Sequence, residues 1–248
     1  MKLTAESYGK SYTVDLTKGV NIGIPVQRKN AISAWGLGVP EYKYYESADF
    51  IGAVRNGGPC NVEVIQFVPH TSGTHTECIG HITKDEKFVL DNIKDTFYSA
   101  RLITLSSQLD DSGNEVLDFS AVIWKDLETV DALVIKSQPN TESKISKNYA
   151  SSNPSYISAS DMQKIVDSGI NHLVIDLPSV DPESDGGALV AHRIFWQTMT
   201  STLREDSSIT EFTYIPDNVQ DGNYFIKLNI SPFQSDASPS NPILYPIV

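Results

Sequence analysis

Three of the five histidines in this 248-residue chain, His70, His75 and His81, fall within a dozen positions of one another, with Glu77 among them. Imidazole nitrogen and carboxylate oxygen are the usual ligands of zinc and other first-row divalent metals. The run Pro69-His70-Thr71-Ser72-Gly73-Thr74-His75-Thr76-Glu77-Cys78-Ile79-Gly80-His81 is therefore a candidate metal site. If residues 74–79 are extended, His75 and Glu77 project to the same side, because side chains alternate with a period of two. Gly73 and Gly80 can take backbone angles closed to other residues, which would turn His70 and His81 towards that pair. A helix serves less well, since it would leave His75 well round from the others and Thr-Ser-Gly-Thr is a poor helix former. The competing reading is an ordinary polar loop after a strand. The chain has neither an H-E-x-x-H motif nor a CxxC pair.

Such a cluster needs strands to hold it. Residues 62–68 alternate with β-branched side chains and form the expected strand leading into the histidines. Further strands are expected at 12–17, 21–26, 100–105, 132–136, 172–177, 209–215 and 223–230, with a turn at Ser112-Gly113-Asn114. Residues 30–60, with Trp35, Tyr42, Tyr44 and Tyr45, lack a helical period and read as a long ordered loop, from which Trp35 is the candidate wall of a substrate pocket. Residues 137–158 read as a second segment without regular structure, either a lid or a loop. A short helix is expected to start at the capping-box spacing Ser160-Asp161-Met162-Gln163 and to end at Gly169. A second helix is expected over 188–203, with His192, Phe195, Met199 and Leu203 on one inward stripe. By its position alone, His192 reads first as a hydrogen-bonded core histidine, and His172 as structural. Glu211 shares a strand face with Ile209 and Ile215 and needs a cation, an arginine or backbone amides as partner. A helix followed by a strand points to an α/β arrangement.

These residues resemble the metal-dependent hydrolase family known as cyclase, of the kynurenine formamidase type. Of its signature H-x-G-T-H-x-D-x-P-x-H, Gly73, Thr74, His75 and His81 fall on the pattern, Glu77 stands for Asp and Ile79 for Pro. The first histidine position is Thr71 without a gap; His70 reaches it if Ser72 is an insertion. Asp15-Leu16-Thr17, the Asp-x-Pro-Ser-Val-Asp run ending at Asp181, Ala191-His192-Arg193 and residues 235–239 extend the resemblance along most of the chain. It implies a swivelling β/β/α domain, here taken as one domain over 1–248. It also implies one or two divalent ions, Zn or Mn, held by His70, His75, Glu77, His192 and Glu211. Glu211 would be catalytic as well. His81, left unligated, would serve as general base and then general acid, a role imidazole takes more often than other side chains. The implied reaction is hydrolysis of an N-formyl or cyclic amide of an aromatic amine, by a homodimer or higher homo-oligomer. Two alternatives stand beside it: a metal- or ligand-binding protein without hydrolysis, and a cysteine hydrolase using Cys78 beside His75 or His81.

Length and composition, with 40% hydrophobic and 20% charged residues, suit a globular domain with a sizeable core. A net charge of −12 argues against nucleic acid, whose backbone is bound by displacing counterions with Lys and Arg. The N-terminal residues lack the apolar core of a secretory signal and no apolar run approaches the ~20 residues that cross a bilayer, so the expected address is the cytoplasm, with no membrane partner. Cys60 and Cys78 are expected to be thiols.

Overall fold

Near-continuous apolar runs such as Ala132–Ser137 and His172–Ile175 are buried along their whole length, the pattern of parallel strands covered on both faces. In the computed structural model, which describes residues 1–93 and 97–248, they lie at the centre of a nine-stranded mixed sheet. Across the sheet the order is Ala237–Pro239, His75–Glu77, Ser208–Glu211, His172–Ile175, Ala132–Ser137, Phe97–Leu105, Gly222–Lys227, Ile243–Pro246 and Val20–Asn21. Ser208–Glu211, His172–Ile175, Ala132–Ser137 and Phe97–Leu105 run parallel to one another, and antiparallel strands continue the sheet on either side. The fold is mixed α/β of the swivelling β/β/α kind, with few helices.

Alternation sorts the central strands onto two cores. Leu133, Ile135, Leu173, Ile175 and Ile209 pack with Met162 and Ile165 of the helix Ala159–Asp167 and with Phe195 and Trp196. Ala132, Val134, Val174, Leu102, Ile226 and Leu244 fill the opposite face. Each fully buried Leu or Ile contributes about 1.5–3 kcal/mol, so this packing, and not local propensity, holds the strands that carry the site.

Several elements differ from expectation. The helix Ala159–Asp167 is capped by Ser158, whose Oγ accepts from the Asp161 amide at 3.1 Å, two residues before the expected start; Gly169 ends it at φ 83°. The second helix spans only Val190–Phe195: Gln197 takes φ 54°, and Met199 and Leu203 are exposed. The run from Thr198 to Thr202 is dominated by Thr and Ser, which pay side-chain entropy or compete with the backbone in a helix, so apolar spacing alone could not extend it. The strand expected over 209–215 stops at Glu211 because Phe212 is left-handed, φ 55°. Residues 63–66 do form a strand, Glu63–Gln66, but it pairs with Glu41–Tyr44 in a separate ribbon whose Val64 and Ile65 are exposed. The 30–60 region accordingly contains short strands rather than loop throughout.

The 137–158 segment is tied down. Lys144, in the 3₁₀ turn Glu142–Ser146, is buried with its ammonium 2.7 Å from Asp176 Oδ2 and 2.7 Å from the Ser137 carbonyl. A lysine inside a fold needs such saturation of its donors, and here it anchors the loop to the ends of two central strands.

Candidate metal centre

His75 and Glu77 lie on a three-residue strand between Ser208–Glu211 and Ala237–Pro239. Register places His75 opposite Glu211 and Glu77 opposite both Ile209 and Ala237, so the pleat aims His75, Glu77 and Glu211 into one space. His70 enters from the 3₁₀ turn Pro69–Thr71. The turn back from it uses Gly73 at φ 147°, where a Cβ would also stand 2.8 Å from the Ile24 carbonyl. Gly80 acts differently: its backbone lies so close to the Lys87 carbonyl that a Cβ would overlap it, so the position demands space rather than an unusual angle.

His192 reaches the same space from the second helix. Asp181 starts that helix, accepting from the Ala191 amide at 2.7 Å and the His192 amide at 3.1 Å. The same carboxylate meets His192 Nδ1 at 2.5 Å, which leaves Nε2 facing Glu77 Oε1 at 3.1 Å and Glu211 Oε1 at 4.0 Å. Such a carboxylate behind an imidazole fixes its tautomer and orientation. The later pair, His192 and Glu211, thus meets the earlier pair, His75 and Glu77.

Among the described residues, two combinations have ligand atoms within 4.8 Å of one another: His75, Glu77 and Glu211, and His70, Glu77 and His81. Glu77 belongs to both. Among the described residues, buried His75 Nε2 and Glu77 Oε2 have no partner at hydrogen-bonding geometry, although Glu211 Oε2 lies 3.4 Å from the first and His70 Nδ1 3.1 Å from the second. Buried polar atoms of this kind cost about 1–3 kcal/mol each, and more when charged, so nitrogen and oxygen donors converging without mutual satisfaction suit a divalent cation. His81 Nε2 stands 3.9 Å from Glu77 Oε2, at the edge of the group.

Burial opposes charge throughout, yet the carboxylates overcome it for two histidines. Hydrogen bonds that its ring donates to Asp236 and Glu77 push His70 up to about 10, and those donated to Asp181 and Glu77 do the same for His192. Burial works against ionised Glu77 too, but His81, His192 and His70 hold it well below the usual carboxylate range. Glu211 is raised by burial and by the charge of Glu77. Without a metal, protons on imidazole supply the positive charge that the carboxylates require. For His70 and His192, folded values near 10 against about 6.5 unfolded mean a stabilisation complete below about pH 6.5 and lost between there and pH 10. Glu77, being depressed, contributes above its unfolded value and loses that contribution on acidification. Metal-free protein is accordingly expected to melt at progressively lower temperature from about pH 7 to 10, and Zn(II) binding at pH 8 to release protons. Thermal melts across pH and calorimetry in buffers of different ionisation enthalpy measure the two effects; a flat profile with no proton release contradicts both.

The cluster opens onto a cavity of about 320 Å³ walled by Trp35, Leu37, Val68, Pro182 and Leu189, with His70, His81, His192 and Glu211 at its base. Trp35 therefore lines the same space as the histidines. A larger cavity of about 550 Å³, beside Tyr98, His172 and Arg204, lies elsewhere. There His172 is buried, hydrogen-bonded to Ser208 Oγ at 2.9 Å and stacked on Tyr98. Volume alone would select the wrong place.

Sequence reasoning missed two carboxylates, Asp181 and Asp236, the latter 2.8 Å from His70 Nε2. Both sit in short Ser- and Pro-containing runs with no periodicity to mark them; their only signal was membership of blocks shared with the family. Cys78 is fully buried beside the Lys87 carbonyl, and burial pushes its thiol up to about 11, which removes the thiolate a cysteine hydrolase requires.

The comparisons with known proteins follow the same lines. A kynurenine formamidase of Bacillus mycoides (strain KBAB4) is 28% identical over 228 residues, covering 91% of this chain and 97% of the relative. That of Bacillus anthracis is 26% identical over 232 residues, covering 93% and 99%. Among solved structures, a potential metal-dependent hydrolase with cyclase activity superposes with a TM-score of 0.66 at 15% identity, covering 92% of this chain and 97% of the other. An isatin hydrolase bound to the product analogue thioisatinate gives 0.63 at 12% identity, covering 93% of each. These structures share the fold. The Cyclase family model matches residues 14–182, a span that carries His70, His75, Glu77, His81 and Asp181, and with that match the chain belongs to the Cyclase family.

Proposed function

We propose that this chain is a metal-dependent amide hydrolase that cleaves an N-formyl or cyclic amide of an aromatic amine. The observation that carries the reading is the convergence of His75, Glu77 and Glu211, with donor atoms of His75 and Glu77 left unsatisfied, beside a cavity that Glu211 lines together with His70, His81 and His192. Curated relatives named kynurenine formamidase support the amide substrate.

His70, His75, Glu77, His192 and Glu211 would hold one or two ions, Zn or Mn. A divalent ion there supplies a water acidified towards a pKa of ~7 and a Lewis acid for the substrate carbonyl. The remaining work falls to the chain. Trp35, with Leu37 and Leu189, receives the aromatic ring and excludes water from the cavity. His81, at the cavity base, accepts the proton of the attacking water at Nε2 and returns it to the departing nitrogen as the C–N bond breaks. Glu183 and Asp185 are the acidic groups at the rim, each bound to backbone amides.

The test is turnover of N-formyl aryl amides and cyclic imides by protein loaded with Zn(II) or Mn(II), compared with chelated protein. Metal-dependent hydrolysis is expected, and Trp35→Ala should raise KM more than it lowers kcat. Protein that binds metal tightly but turns over neither class would instead be the non-hydrolytic binder of the same fold. We also propose that the chain works as a homodimer or higher homo-oligomer. Exposed Leu37, Val39, Val64 and Ile65 are apolar side chains that association of copies would cover, which supports this reading. Light scattering giving the mass of one chain would remove that part.

A further inference from the structure

Outside its histidines, the lining of the 320 Å³ cavity offers ionisable groups of one kind only. Among the described residues it holds the carboxyl groups of Asp181, Glu183, Asp185 and Glu211, and no lysine or arginine. Asp181 and Glu211 face His192 at the base, whereas Glu183 and Asp185 stand at the rim. The rim groups are held by backbone. Glu183 accepts from the Ser151 and Asn153 amides at 2.5 and 2.9 Å, and Asp185 from the Gly187 and Leu189 amides at 2.7 and 2.6 Å. Amide dipoles fix these groups in place without bringing a cation to them. The cations of the neighbouring segments are engaged elsewhere: Arg28 pairs with Glu63, Lys144 with Asp176, Lys147 stands over the Tyr149 ring, and Arg193 Nε donates to the Ala188 carbonyl. A divalent ion held by His75, Glu77 and Glu211 would meet the charge at the base and leave the rim as it is.

The two ends of the cavity therefore suit different parts of an occupant. Thr71, in the same 3₁₀ turn as His70, also lines it, and its buried Oγ1 has no hydrogen-bond partner among the described residues. A buried hydroxyl of this kind fits a polar group, here the substrate's amide, being held beside His70. The ring then lies among Trp35, Leu37 and Leu189, and the position across the ring from the amide nitrogen points to the rim. We propose that the cavity sorts amides by the charge at that outer end of the ring: a neutral or cationic substituent is accepted, and a carboxylate is turned away by Glu183 and Asp185. Like charges brought together beside apolar walls repel more than they do in open water, so rejection of the wrong ligand is built into the rim. The order of turnover rests on the hydrolase reading; the order of binding does not.

The experiment compares N-formylanilines that differ only in the para group: hydroxymethyl, aminomethyl as the ammonium, and carboxylate. Binding of each to the full chain, metal-free and Zn(II)-loaded, is titrated by ligand-observed NMR. Turnover by the loaded protein is read as kcat/KM divided by the hydroxide-catalysed rate of the same compound, which removes the substituent's effect on the C–N bond. The carboxylate should bind and turn over at least about tenfold less well than the neutral compound, and the ammonium as well or better, the gap narrowing as salt screens the rim. Leu37 is 58% exposed, so Leu37→Arg can set a cation at the mouth without disturbing the core. That variant should raise the ratio of carboxylate to ammonium binding by about tenfold or more. Equal binding of carboxylate and neutral compounds by the parent, a ratio unmoved in Leu37→Arg, binding of none of the three, or a carboxylate preferred once Zn(II) is present would each overturn the proposal. A loaded parent inert on every amide, with the binding order intact, would remove the hydrolase reading and leave this one standing.

Discussion

Glu77→Gln is expected to abolish both the metal site and its turnover. The carboxylate is fully buried, belongs to both candidate ligand groups and faces His70, His81 and His192. Loss of a residue that only supports a ligand costs about 10–100-fold in metal affinity. Loss of the carboxylate shared by both groups should exceed 100-fold on that scale, and kcat should become indistinguishable from that of chelated protein. A second signature distinguishes this from local damage. In the metal-free protein, imidazoles raised to about 10 lose the charge that holds their protons, and removing one partner of a buried pair costs about 3–5 kcal/mol. The melting temperature of metal-free Glu77→Gln should therefore drop at pH 7 and gain nothing from added Zn(II). Calorimetric titration with Zn(II) and thermal melts report both. Retention of one tight ion per chain would show that Glu77 is peripheral and that His75, His192 and Glu211 suffice.

His81→Ala should separate binding from chemistry. Removing a positioned acid–base group typically costs 10²–10⁴-fold, and His81 lies at the rim of the ligand cluster, 3.9 Å from Glu77 and partly exposed. The expected outcome is a fall of that size in kcat with zinc content within twofold of the parent, as roughly neutral surface changes allow. A variant that loses zinc along with activity would instead make His81 a ligand, consistent with its membership of the His70–Glu77 group. Together the two substitutions test the division of labour: Glu77 for holding the ion, His81 for moving the proton.

Legibility in the chain followed the range of the forces involved. Alternation is a local property, so the buried strands Ala132–Ser137 and His172–Ile175, and the shared direction of His75 and Glu77, could be read from residue order alone. Boundaries were less legible. Left-handed residues at Gln197 and Phe212 stop a helix and a strand where apolar spacing continues, because non-glycine positive φ is imposed by packing and leaves little trace in residue type. The exposed ribbon Glu63–Gln66 has the composition of a core strand, and only its pairing partner decided otherwise.

What the residues determined by themselves is the chemistry available: imidazoles and carboxylates in a dense run, acidic overall charge, no helix among the described residues long and apolar enough to span a membrane, and two isolated thiols. The tertiary structure alone decided which of them meet. His192 and Glu211 come from positions more than a hundred residues beyond His75 and Glu77, and they arrive through strand register and a helix started by Asp181. Asp181 and Asp236 gained their roles the same way. Side-chain geometry at a few ångströms depends on the whole sheet closing, and no local window of sequence contains that information.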